Sequence, residues 1–268
     1  MVEKEVIRSR SNGLLKRVGA VLAGKDTANV VLEGDRLIDD ALAAGWQAEA
    51  ILVAEERGDR LAELARAGHG PRAVEGELLA RVGTMKGAPG ILALCRRPAL
   101  HPVERLTAQE RALCLVVWGL ADPGNLGALA RSAEAAGASA LVVGAGGVSP
   151  WHPAALRGSM GSLLRLPVYG GGGPEAVYEA LHSRGFSQVR ASTRGGADPQ
   201  KTDWSGPLAL WIGGETGSFP EELAECDFVD VTIPTVAGAE SLNVTVAGSL
   251  LLFAAGRASS APPSAGAP

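Results

Sequence analysis

The chain has 268 residues, 46% hydrophobic and 20% charged, with a formal net charge of −4. That length can bury a core in one large or two modest domains, and no apolar run approaches the ~20 residues of a membrane-spanning helix. The slightly acidic balance disfavours a wholly electrostatic nucleic-acid binder, so contact with phosphates would rest on local basic surface.

The first residues, Met1-Val2-Glu3-Lys4-Glu5, alternate acid and base and give no secretory signal. Lys4, Arg8, Arg10, Lys16, Arg17 and Lys25 then face only Glu5 as an acid, which marks a first basic surface. The spacing of Leu14, Leu15, Val18 and Leu22 predicts a helix over 12–22. Further on come a strand at 30–32, a helix over 35–44, a strand at 50–53, short helices over 61–67 and 78–82, and a strand at 91–94. This is a small α/β layer domain, residues 1–97. Arg96-Arg97-Pro98-Ala99-Leu100-His101-Pro102 reads as the start of a linker over 98–111, because its two prolines disfavour helix on either side.

Residues 112–257 form a βα series. Strands are expected at 113–118, 140–143, 166–169, 188–191, 208–212 and 228–233, with helices over 126–136, 154–164, 175–183, 221–225 and 242–256. Apolar strands alternating with helices imply a parallel sheet covered on both faces, with ligands at the carboxyl ends of its strands. From Gly147 to Pro174 no acid occurs while Arg157 and Arg165 do, a second candidate phosphate surface. The tail, 258–268, is rich in Ser, Ala, Pro and Gly and is expected to be disordered. Cys95, Cys114 and Cys226 are scattered and odd in number, which points to reduced thiols and a cytoplasmic protein. His69, His101, His152 and His182 are isolated, so no metal site is expected.

Three loops after strand ends carry polar residues and glycine. The first is Asp122-Pro123-Gly124-Asn125, with Arg131 six residues beyond Asn125 on the following helix; Asn125 is expected to cap that helix. The second is Gly213-Gly214-Glu215-Thr216-Gly217. In the third, Ile233-Pro234 ends a strand and Ser241-Leu242-Asn243 opens the last helix, with Ser241 as its expected cap.

Taken together, Asn125 to Arg131, Gly213-x-Glu215 and Ile233-Pro234 through Ser241-Leu242-Asn243-Val244 resemble the three motifs of the SpoU (TrmH-type) RNA ribose 2′-O-methyltransferases, in the SPOUT superfamily. Leu156-Arg157-Gly158-Ser159-Met160-Gly161 is similar to that family's middle segment. Ser11-Asn12, Leu32-Glu33-Gly34 and Pro89-Gly90-Ile91-Leu92-Ala93 are similar to its N-terminal RNA-substrate-binding domain. The second motif departs from the family pattern at Ser218 and Phe219.

The resemblance implies an α/β catalytic domain with a trefoil knot, S-adenosylmethionine as methyl donor, a homodimer, and RNA as substrate, with large-subunit rRNA favoured. It implies an active-site set of Asn125, Arg131, Glu215, Ser241 and Asn243. Gly213, Ile233 and Leu242 match the donor-contacting positions, and Thr193 is a further candidate there. A ribose 2′-OH must be deprotonated or polarised as it attacks. A guanidinium seldom gives up its proton, so Arg131 is read as holding phosphate and stabilising negative charge.

Three other functions have some footing in the sequence. Gly144-Ala145-Gly146-Gly147 follows a strand, as a dinucleotide-binding turn would, but no helix starts there and no acid lies ~20 residues on. Transfer RNA methylation, and a non-catalytic RNA-binding or ribosome-assembly role on the same fold, stay open.

Overall fold

A computed structural model describes residues 6–85, 87, 89–108, 112–214, 219–236 and 241–260, with 257–260 described by backbone alone. The residues up to Ala99, with Trp151–Arg157, form one compact unit; Leu100–Pro150 and the residues from Gly158 form another.

In the first unit, α1 (Gly13–Leu22) opens at Asn12, whose Oδ1 accepts the Leu14 N–H at 2.9 Å. That N-cap satisfies one of the donors a helix start leaves unpaired. There follow β1 (Asn29–Glu33), α2 (Asp35–Ala43), β2 (Ala48–Ala54), α3 (Gly58–Arg66), β3 (Arg72–Val74), α4 (Gly76–Val82) and β4 (Ile91–Arg96). The sheet order is β1-β4-β2-β3. β4 runs antiparallel to β1 and β2, and β3 parallel to β2. Leu15, Val18, Val31, Leu52, Val74 and Leu94 share its core. β3 is absent from the expected elements because three residues carry no readable period.

At the end of β1, Glu33 is 4% exposed. Its carboxylate accepts the Thr84 N–H at 3.0 Å, the Thr84 hydroxyl at 2.5 Å and the Met85 N–H at 3.1 Å. A buried carboxylate needs such partners. The Arg157 guanidinium lies 3.7 Å from it and donates to Thr84 Oγ1 at 3.1 Å.

The second unit begins inside the stretch read as a linker. His101–Pro102 is an edge strand, β5, and Val103 and Leu106 behind it are buried. Proline is tolerated there because an edge residue need not donate to the ladder. Then come β6 (Leu113–Val117), α5 (Pro123–Ala135), β7 (Ala140–Val143), α7 (Ser162–Arg165), β8 (Val168–Gly170) and α8 (Pro174–His182), while α6 (Pro153–Gly158), between β7 and α7 in the chain, belongs to the first unit but for its last residue. β9 (Ser187–Ala191), β10 (Leu208–Ile212), β11 (Val229–Val231) and α9 (Val244–Ser260) complete it.

Among the described residues seven strands form one sheet, ordered β11-β9-β10-β6-β7-β8-β5. Every pairing in it is parallel. β6 and β10, at its centre, are buried along their whole length, which is why they read as unbroken apolar runs. The fully buried Trp211 donates its indole N–H to Gln188 Oε1 at 2.7 Å, so neither polar group is stranded.

Four expectations are corrected. The helix expected over 154–164 is broken into α6 and α7 by two left-handed residues, Met160 (φ 49°) and Gly161 (φ 87°). β11 is shorter than the run 228–233. α9 continues to Ser260, past the expected start of the tail; 261–268 lie outside the described residues. Arg157 and Arg165, expected to face phosphates, are both engaged by carboxylates.

No helix among the described residues is long and apolar enough to cross a membrane. Cys95 and Cys114 are buried and Cys226 half-buried, all as free thiols. Burial, helped by the charge of Glu49, pushes the Cys95 thiol up to about 12.

Candidate active site

β6 is where the sheet topology reverses: β7 and β8 continue to one side of it, β10 and β9 to the other. The loops leaving β6 and its neighbour β10 therefore part at this point, the place where open parallel sheets bind ligands. They touch backbone to backbone. A Cβ added at Gly214 would lie 2.5 Å from the Gly119 carbonyl oxygen, so only glycine fits there.

The glycines after β7 have a packing role. A Cβ at Gly144 would lie 2.3 Å from the Trp118 ring, and α6 starts only at Pro153. The stretch makes room for an indole, which leaves the dinucleotide reading without support.

α5 and α9 stand side by side. Asn125 lies opposite Thr245, Leu129 opposite Gly248, Ser132 opposite Ser249 and Ala136 opposite Gly256. Those pairs ascend together, so the helices run parallel and both N-termini lie at the same end. The approach is close: a Cβ at Gly248 would meet Leu129 Cδ2 at 2.4 Å, and one at Gly256 the Ala136 carbonyl oxygen at 2.2 Å. Two positive dipole ends side by side favour an electron-rich partner.

Asn125 is not the cap of α5. Asp122 is, accepting the Asn125 N–H at 2.9 Å. The Asn125 side chain turns instead to α9, where its Oδ1 accepts the Thr245 hydroxyl at 3.0 Å. Nor does Ser241 cap α9. Asn243 Oδ1 accepts the N–H groups of Thr245 at 2.8 Å and Val246 at 3.4 Å. Ser241 and Leu242 are exposed just ahead of it.

Gly213 is buried at the exit of β10, and Ile233 is half-buried beyond β11. Thr193 is exposed in the loop after β9, the strand beyond β10. Arg131 is exposed on α5, one residue before Ser132 of the helix seam. Glu215 lies outside the described residues. Thr193, Gly213 and Ile233 thus follow the carboxyl ends of β9, β10 and β11, Asn125 and Asn243 lie at the starts of α5 and α9, and Arg131 stands further along α5. Direct hydrogen bonds join Asn125 and Asn243 through Thr245, a residue that the motif reading did not single out. Its signal was the run of small residues Thr245, Gly248, Ser249 and Gly256 along one helix face.

Behind the site, Glu134 on α5 accepts Arg165 Nε at 2.7 Å, Arg165 Nη2 at 2.8 Å and the Ser162 hydroxyl at 2.7 Å. The Arg165 hydrogen bonds, with that of Ser162, hold the Glu134 carboxyl below its usual range against partial desolvation. Among the described residues no group of three His, Cys, Asp or Glu side chains is placed to hold a metal ion.

The residues present suit S-adenosylmethionine in kind. Ile233 and Leu242 offer partly accessible apolar side chains for a flat base, and Gly213 lies just past the last paired residue of β10.

Comparison with known proteins points the same way. Residues 112–253 match the SpoU rRNA Methylase family. The chain is 29% identical over 227 residues to the 23S rRNA (guanosine(2553)-2′-O)-methyltransferase RlmP of Bacillus subtilis, spanning 85% of this chain and 88% of that protein. It is 32% identical over 219 residues to the 23S rRNA (guanosine-2′-O-)-methyltransferase RlmB of Xanthomonas campestris, spanning 78% and 88%. The crystal structure of an AdoMet-bound rRNA methyltransferase from Sinorhizobium meliloti superposes with a TM-score of 0.84 at 26% identity, covering 94% of this chain and 97% of that one.

Proposed function

Because the chain belongs to the SpoU rRNA Methylase family, we propose that it methylates a ribose 2′-OH of large-subunit rRNA. It is an S-adenosylmethionine-dependent RNA 2′-O-methyltransferase. The observation that carries the reading is the pairing of this family match with the site itself: Asn125 and the Asn243 turn are joined at the end of the sheet where β6 and β10 part.

S-adenosylmethionine supplies an electrophilic methyl group on a sulfonium. Gly213, Ile233 and Leu242, with Thr193 at the margin, would hold it. Asn125, Ser241, Asn243 and Glu215 would position the ribose and the loops around it. Arg131, solvent-facing on α5, would grip the phosphate next to the target ribose and stabilise negative charge growing on its oxygen. No metal takes part in this scheme.

The catalytic domain spans 112–257, and the segment between β10 and α9 would be drawn through the trefoil knot of the fold. Its support is the packing of α9 onto α5 and the strands β6, β9 and β10, with the 213–243 segment leading into it. The N-terminal domain, 1–97, would bind the RNA substrate, using exposed Arg10, Lys16 and Lys25. Arg8 and Arg17 in the same stretch pair with Glu55 and Glu49.

The working form would be a cytoplasmic homodimer. On α9, Val246, Leu250 and Phe253 are 48%, 52% and 44% exposed and fall on one stripe. Large apolar side chains in a row on a surface mark an interface.

The test is transfer of labelled methyl from S-adenosylmethionine to purified RNA. The reading expects label in large-subunit rRNA lacking this modification, and none in tRNA. Label in tRNA alone would favour the tRNA alternative. Binding of RNA without any transfer would favour the non-catalytic one.

A further inference from the structure

Resting on the assignment of Asn125 to the active site, we propose that Thr245 is the positioning residue for Asn125. A terminal amide can turn about its last torsion and present either end. Asp122, and not Asn125, caps α5, so the Asn125 side chain is not spent on that cap. Thr245 fixes that side chain. Its hydroxyl donates to Asn125 Oδ1 at 3.0 Å, across 120 residues of sequence.

Thr245 is itself held on two sides. Its backbone N–H donates to Asn243 Oδ1 at 2.8 Å. Its carbonyl oxygen accepts the Ser249 hydroxyl at 2.7 Å. That spends the one proton Ser249 Oγ has, so in the 2.7 Å contact between the two hydroxyls Ser132 is the donor. The chain of bonds runs Ser132 to Ser249 to Thr245 to Asn125, from the middle of the helix seam to its open end. Thr245 is also β-branched, which restricts its χ1 in a helix. One residue therefore receives the cap of α9 on its backbone and sets the Oδ1 end of the Asn125 amide toward α9 with its side chain. A 1 Å error in such a group is enough to spoil catalysis.

Valine at this position keeps the shape and removes the hydroxyl; serine keeps the hydroxyl and removes the methyl. The experiment measures kcat and KM of the full-length protein, using S-adenosylmethionine and large-subunit rRNA purified from a strain that lacks the gene. Thr245→Val should lower kcat by about tenfold or more while both KM values change by less than about threefold. Thr245→Ser should recover to within about threefold of wild type. In an Asn125→Ala background, Thr245→Val should cost no more than about a further twofold, since the group it positions is gone. Thr245→Ala, which cannot overpack the seam, serves as the second hydroxyl-free variant should valine impair folding.

Wild-type kcat in the hydroxyl-free variants overturns the proposal. So does a full further loss on the Asn125→Ala background, which would mean that Thr245 acts independently of Asn125. Wild-type turnover by Asn125→Ala alone removes the parent assignment of that residue, a distinct failure that takes the proposal with it.

Discussion

The two faces of α9 are built from different residues and answer to different neighbours. The face on α5 carries Thr245, Gly248, Ser249 and Gly256, and it permits contact so close that two of its positions leave no room for a Cβ. The outer stripe carries Val246, Leu250 and Phe253, all large and all substantially exposed. Small residues let two backbones approach and let hydroxyls reach across. Large apolar ones left in water await a second surface. One helix thus fixes the geometry of a site on one face and, in the reading proposed here, joins two copies of the chain on the other.

The largest expected effect lies next to the inner seam. Arg131 precedes Ser132 yet faces solvent. Arg131→Ala should lower methyl transfer by ~100-fold or more, or about 2.7 kcal/mol, with S-adenosylmethionine affinity held within about tenfold. Arg131→Lys should recover little, because an ammonium lacks the planar fork that grips phosphate at two points. Steady-state kinetics beside calorimetry checks both. A collapse of donor affinity would move Arg131 into the cofactor pocket.

The outer stripe is tested by charge. Leu250→Asp with Phe253→Asp should give a monomer by light scattering at micromolar concentration, with far-UV circular dichroism unchanged. An intact dimer would put the interface elsewhere, and a monomeric wild type would remove the stripe's proposed partner.

Within the seam the two glycines should rank. Gly256→Ala drives a methyl into the Ala136 backbone, whereas Gly248→Ala meets the movable end of Leu129. Overpacking against backbone costs about 1–3 kcal/mol, partly offset by the ~1 kcal/mol gained in helix propensity. Thermal denaturation should therefore place Gly256→Ala clearly below Gly248→Ala. The reverse order would contradict the close approach at Ala136.

The smallest effect is behind the site. Glu134 is held low by Arg165 and Ser162, so its contribution to stability is present above its unfolded pKa and fades as pH falls through the lower folded value. The pair is partly solvent-exposed, so Glu134→Gln should cost under ~1 kcal/mol near neutrality. The gap between variant and wild type should close in acid. Denaturant titrations at several pH values measure it.

Much of this was legible in the sequence. Uninterrupted apolar runs such as Leu208–Ile212 announced buried parallel strands, and three polar loops after strand ends gave the candidate site. Helix caps were harder to read. Asp122 and Asn125, like Ser241 and Asn243, are neighbours of similar capping ability, and the direction in which the chain leaves its strand decides between them. The two-residue edge strand at His101–Pro102 has no period to detect. The break at Met160 depends on left-handed backbone at a residue that seldom adopts it. The Thr245–Asn125 bond is a tertiary fact that no local pattern contains.

The central claim is that this chain methylates one ribose of large-subunit rRNA, and it is tested most directly by mapping 2′-O-methyl groups nucleotide by nucleotide. RNA would be compared from a strain lacking the gene, the same strain restored with the wild type, and one restored with Arg131→Ala. The account predicts a single large-subunit ribose that loses its methyl group in the deletion, regains it with the wild type and stays bare with Arg131→Ala. An unchanged rRNA map in all three strains would contradict it.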